Sequence, residues 1–145
     1  MKRISYDWDP ENGTSICTIR DHEKVFYGMA YCRDEDRDMM NEKTGMTIAM
    51  MRAQIEQLIS IRDNELLPAL KALKIYLHTI DQSNKYNPDS YEVMMLKRQI
   101  QIYEEKIDLI KDMIRTTKGS LKIYMKDKTE FYEKVRANRN KDKNK

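Results

Sequence analysis

The side chains of this sequence best equipped for chemistry are guanidinium forks and aromatic faces. Phe26, Tyr27 and Tyr31 fall on one predicted strand with Arg33 at its end, and Arg52 follows in the stretch Met50-Met51-Arg52-Ala53. Tyr86 and Asn87 lie in a later loop, and Lys97 with Arg98 opens the last predicted helix. A guanidinium presents a planar fork of N–H donors that matches a phosphate, an aromatic face stacks on a base, and an amide reads a base edge. Such groups hold a nucleotide without transforming it. Each also has an ordinary structural use, so their significance depends on meeting in one cleft between the sheet and the helix ends.

Catalytic equipment is sparse. The two histidines are His22 in a turn and His78 on a helix, and neither has the neighbours of a metal or nucleophile site. No glycine-rich phosphate loop, paired-cysteine zinc spacing or nucleophile elbow is present. The run Asp34-Glu35-Asp36-Arg37-Asp38 lacks the glycine and ligand spacing of a calcium loop and reads as a charged, solvent-facing turn. Neither catalysis, nor a metal, nor a cofactor is expected.

The elements that must position these groups begin with three strands, Arg3 to Trp8, Thr14 to Arg20 and Lys24 to Cys32. The turn from Asp9 to Gly13 ends in the hairpin signal Asn12-Gly13, and Asp21 to Glu23 makes the second turn. Aligned by those turns, Ile4, Tyr6 and Trp8 share a face with Ile16, Phe26 and Gly28. Cys17 and Ile19 then share the other with Val25, Tyr27 and Met29. Both faces are apolar, which calls for a helix on one side and a second subunit or ligand on the other. Cys17 is placed opposite Tyr27 and Cys32 beyond the partner strand, so the two thiols read as reduced packing residues.

Beyond an irregular stretch from Asp34 to Lys43, the chain reads as helix. The first helix runs over 45–81, with Leu66, Leu70, Leu73, Leu77 and Ile80 at 4-3 spacing and a kink expected at Pro68. A polar loop, Gln82 to Asp89, precedes a capping box formed by Asp89 and Glu92. The second helix, over 90–133, carries an apolar seam from Leu96 to Val135 that holds a 4-3 alternation for five heptads, with Gly119 marking a possible bend. The fold class is therefore α+β: a small N-terminal antiparallel sheet of three or four strands (1–33), then a long antiparallel helical hairpin, the whole a single domain over 1–133. The sheet is too thin to cover both helices, so an oligomer is expected.

The chain has 145 residues and a net charge of +3. Residues 134–145 hold six basic side chains and one acidic, leaving a body near −2 and a basic tail that reads as flexible. With the positive surplus confined there, duplex nucleic acid is not the expected main ligand. With no leader and no apolar stretch of membrane-spanning length, a soluble cytoplasmic protein is expected.

The segment FYGMAYCRDEDRDMMNEKTGMTIAMMRA, from Phe26 to Ala53, and KYNPDSYEVMMLKRQI, from Lys85 to Ile100, resemble small proteins of phages of Gram-positive bacteria, among them the first type of the Thoeris anti-defence sponge family. The resemblance implies a small sheet, two long helices, and dimers assembled into hexamers. It also implies a phage sponge in the cytoplasm of the bacterial host that catalyses nothing. Such a sponge sequesters cyclic ADP-ribose isomers, and in some members cyclic oligonucleotides, suppressing Thoeris and CBASS immunity. Phe26, Tyr27, Arg33, Arg52, Tyr86, Asn87, Lys97 and Arg98 are the ligand-binding candidates, chosen by their chemistry. The heptad seam equally suits a coiled-coil structural or adaptor protein of a phage that binds another protein, and the basic tail leaves room for a nucleic-acid-binding regulator.

Overall fold

The computed structural model of the chain describes residues 1–39, 41–83 and 86–143, with Glu35 and Asp38 as backbone only. Asn84 and Lys85 of the predicted loop, and the last two residues of the tail, lie outside the described residues. Three strands, β1 (Lys2–Asp9), β2 (Thr14–Asp21) and β3 (Lys24–Tyr31), form an antiparallel sheet in the order β1-β2-β3. A 3-10 turn (Asp34–Met39) leads into α1 (Glu42–Ser60), a π-helical turn (Ile61–Leu66), α2 (Leu67–Asp81) and α3 (Tyr91–Lys143). The chain divides into two compact units where the sequence reads as one domain: Met1–Gln57 with Thr116–Lys145, and Leu58–Arg115.

Both hairpin turns are one residue shorter than the sequence reading placed them. Asp9 stays in β1 opposite Thr14, because its carboxylate accepts from the Glu11 and Asn12 amides at 3.1 and 3.3 Å and closes the turn early. Gly13 takes a left-handed φ of 64°. In the second turn His22 itself adopts φ 56°, so Asp21 pairs with Lys24 across two residues. Each shortening flips the side-chain parity. Cys17 therefore faces Tyr6 and Gly28, not Tyr27, and Ile19 faces Ile4 and Phe26. Ile16 falls instead opposite Asp7 and Met29 on the other face. Both cysteines are free.

The first face carries the core of the first unit: Cys17, Ile19, Ala30, Ala49 and Ala53, flanked by Phe26, Ile48 and Met50. Small residues set how closely α1 approaches. A methyl group on Gly28 would stand 1.9 Å from the Ala49 carbonyl oxygen, and one on Gly45 would stand 2.2 Å from Ser15 Oγ. Gly45, Ala49 and Ala53 form a stripe at four-residue spacing, so helix backbone lies directly on the sheet. The opposite face leaves Tyr27, Met29 and Tyr31 exposed at 61%, 56% and 61%, which marks an apolar surface on a sheet already covered once.

Helix ends follow side-chain chemistry. Asn41 Oδ1 accepts from the Lys43 and Thr44 amides, starting α1 three residues before Gly45. The interruption falls just before Pro68, which lacks the N–H that an α-helix needs there; the wider π turn absorbs the mismatch. At α3 the cap is Ser90 rather than Asp89, its Oγ accepting from the Val93 amide at 3.3 Å. In the second unit the seam positions Leu70, Leu96, Ile107 and Ile114 are buried together with Val93, while Leu73, Leu77, Ile100, Tyr103 and Ile110 are half-buried. Helix α3 passes through Gly119 and continues beyond residue 133 into the basic segment as far as Lys143.

Candidate functional site

The first unit holds a cavity of about 150 Å³ at the end of the packed sheet face. Its floor is one cross-strand row, Trp8 on β1, Ser15 on β2 and Ala30 on β3, which the antiparallel register places side by side. Thr44, Gly45 and Ile48 from the first turns of α1 form one wall, and Met125, Lys128, Thr129 and Tyr132 from α3 another. Cys32, Arg33 and Asp36 complete it after β3.

The wall is tied down by charge-assisted contacts. Arg37 Nη1 and Nη2 donate to the carbonyls of Glu11 and Asn12 at 3.0 and 3.2 Å, and Nη2 also pairs with Asp34 at 2.8 Å, clamping the first hairpin turn onto the 3-10 turn. The Cys32 amide donates to the Gly13 carbonyl at 2.7 Å. Asp36, 6% exposed, has its Oδ1 3.0 Å from Arg136 Nη1, an ion pair whose angle falls outside hydrogen-bond geometry. The acidic run is thus not a uniformly solvated turn: Asp36 is buried, and its partner comes from the segment read as a flexible tail.

Two features of the cavity bear on ligands. Ser15 is 1% exposed and its hydroxyl has no hydrogen-bond partner among the described residues. Burial raises the pKa of the Tyr132 phenol, helped by Cys32 and Asp36 nearby, so the phenol keeps its proton and remains a donor through the neutral range. Lys128 stands 5.5 Å from the centre of the Tyr124 ring. No cluster of metal-ligating side chains occurs among the described residues, and none of their helices is long and apolar enough to cross a membrane.

Of the aromatic and basic residues singled out from sequence, Tyr31 and Arg33 line this cavity. Phe26 packs against the core while Tyr27 points to the open face, so the neighbours in sequence are parted by the sheet. Arg52 is engaged inside the first unit: Nη1 donates to the Met29 carbonyl of β3 at 2.6 Å, and Nη2 lies 3.6 Å from Met125 Sδ. The other four belong to the second unit. There Asn87 Oδ1 accepts from the Asp89 amide as a turn former, Tyr86 borders a shallow groove with Lys74, Leu77, His78 and Asp81, and Lys97 and Arg98 are exposed on α3. The residues the sequence reading missed are Trp8, Ser15, Asp36 and Tyr132. Their signal was the small-residue stripe of α1, which marks where helix and sheet come close enough to enclose a space. Compared with families of known proteins, curated proteins and solved structures, the chain matches none.

Proposed function

We propose that this protein is a non-catalytic sponge for cyclic nucleotide signals, of the cyclic ADP-ribose or cyclic oligonucleotide type, and that it acts in the bacterial cytoplasm by lowering the free signal. The resemblance of Phe26–Ala53 and Lys85–Ile100 motivates the ligand class. The observation that carries the reading is the cavity, where aromatic Trp8 and Tyr132, an unpartnered buried hydroxyl and the cations Arg33 and Lys128 border one space. At about 150 Å³ it matches a site for a single ring and falls well short of the ~300–1,000 Å³ of a site for a whole drug-sized ligand. A cyclic nucleotide would insert one ring and leave its phosphates outside, near Arg33 and Lys128. Charge-assisted hydrogen bonds of about 1.5–3 kcal/mol and stacking of about 1–3 kcal/mol suffice, after association costs, for sub-micromolar holding.

Thermal melting with a panel of cyclic ADP-ribose isomers and cyclic oligonucleotides tests this. A ligand present at a hundredfold its Kd adds about 2.7 kcal/mol, raising Tm by roughly 5–10 °C. No shift with any of them at saturating concentration would overturn the sponge. A self-association role is favoured by a separate observation, the exposed Tyr27, Met29 and Tyr31 on the uncovered sheet face. Under it the protein forms at least a dimer through that face, and Tyr27→Lys dissociates it in light scattering; a monomeric wild type at micromolar concentration would refute this.

A further inference from the structure

Resting on the sponge reading, we infer that the cavity is a base slot: it takes a heteroaromatic ring bearing an N–H donor, such as the amino edge of adenine, and excludes the phosphates. The cavity's most buried polar groups favour the polar edge of a ring, and its size excludes the anion. Asp36 is a carboxylate 6% exposed, and its Oδ1 makes no hydrogen bond despite the nearby Arg136. A carboxylate only accepts, so a hydrogen bond from a ligand to Asp36 has to come from a ligand N–H or O–H. Ser15 Oγ, buried and unpartnered, both donates and accepts, and so serves a ring nitrogen or an amine equally. Arg136, 3.0 Å from Asp36 Oδ1, offsets the charge of that carboxylate, so the size of the cavity rather than repulsion keeps a phosphate out.

Size and wall chemistry agree. About 150 Å³ is the volume of an engineered apolar cavity that holds benzene, so one six-membered ring fits and a phosphorylated ribose beside it does not. Trp8 and Tyr132 supply aromatic surface of the kind bases stack on, and Ile48, Ala30 and Met125 supply apolar contact. Gly45 lets the Ser15 hydroxyl lie directly against α1, since any Cβ there would stand 2.2 Å from Ser15 Oγ.

The chain contains one tryptophan, and it lines this cavity, so its fluorescence reports on the site directly. The wild-type chain is titrated, with emission of Trp8 followed, using adenosine, purine riboside, which lacks the exocyclic amine, and ribose 5-phosphate. Adenosine should change the emission saturably, purine riboside should bind about tenfold weaker or worse, and ribose 5-phosphate should leave the emission unchanged. Ser15→Ala should weaken adenosine about five- to tenfold while its melting temperature holds or rises, because the hydroxyl satisfies nothing in the free protein. Equal binding of purine riboside, or tighter binding of ribose 5-phosphate, would overturn the base slot. So would a Ser15→Ala variant that melts lower but binds normally, which makes the hydroxyl structural. If cyclic nucleotides shift the melting of the chain but nucleosides leave Trp8 unaffected, the base slot falls and the sponge reading stands; silence from both sets overturns both.

Discussion

Gly28→Ala is the substitution that most directly tests how α1 sits on the sheet. Its Cβ would stand 1.9 Å from the Ala49 carbonyl oxygen and 2.4 Å from the Ala53 nitrogen, both backbone atoms of a helix. No side-chain rotation relieves contacts with backbone, so α1 must back away by more than an ångström, loosening Cys17, Ile19 and Ala30 against Ala49 and Ala53. Overpacking of this kind costs about 3 kcal/mol, at the upper end of the usual range. With roughly 2–4 °C per kcal/mol for a chain of this size, Tm should fall by about 6–12 °C, and the urea midpoint by about 1.5 M at a slope near 2 kcal/mol/M. The assay is paired thermal and urea unfolding by circular dichroism, read against Ala53→Gly, which removes side chain without intruding. Because Thr44, Gly45 and Ile48 of α1 also wall the cavity, ligand affinity should drop with stability. A Gly28→Ala variant with wild-type midpoint would refute the close helix–sheet contact on which the cavity depends.

Further outcomes follow from named contacts. Arg136→Ala strands the Asp36 carboxylate and should cost about 2 kcal/mol, less than the ~3–5 kcal/mol of a fully buried pair because the Arg136 side chain is 29% exposed; deleting 134–145 should cost as much, and an unchanged urea midpoint would contradict it. Arg52→Ala should cost about 1.5–3 kcal/mol by freeing the Met29 carbonyl, measured by the same unfolding and refuted by an unchanged midpoint. Stability should decline at alkaline pH. Burial raises the thiol of Cys17 above its ordinary 9.0, and burial likewise raises the phenols of Tyr6 and Tyr132 above 10.0. The unfolded chain therefore releases these protons first, so the stabilisation is complete below pH 9 and is lost as pH rises through the folded values; a flat urea midpoint between pH 9 and 11 would argue against it.

Strands, helices and the inward seam were legible because they rest on periodicity, which a single sequence carries in full. Register was not, because it hinges on turn length. Nothing in Asp21-His22-Glu23 announces that His22 takes a left-handed φ, and a carboxylate at Asp9 shortening its own turn is a local hydrogen bond rather than a pattern. One residue at each turn was enough to move Ile16 and Cys17 to opposite faces from those expected. The cavity was hidden for a related reason. Trp8, Ser15, Asp36 and Tyr132 are far apart in sequence and each is ordinary alone, whereas Arg52, conspicuous among methionines, is occupied by a strand carbonyl. Long-range pairing such as Asp36 with Arg136 has no sequence signature at all.

The most direct test of the central claim is isothermal titration calorimetry of the wild-type chain with cyclic ADP-ribose isomers and cyclic oligonucleotides, run beside Thr129→Trp, which plugs the cavity from the exposed side of α3. The account predicts a saturable, sub-micromolar isotherm for at least one cyclic nucleotide in the wild type and its loss in the plugged variant with Tm preserved. No heat of binding from any cyclic nucleotide, or the same isotherm in both proteins, would contradict it.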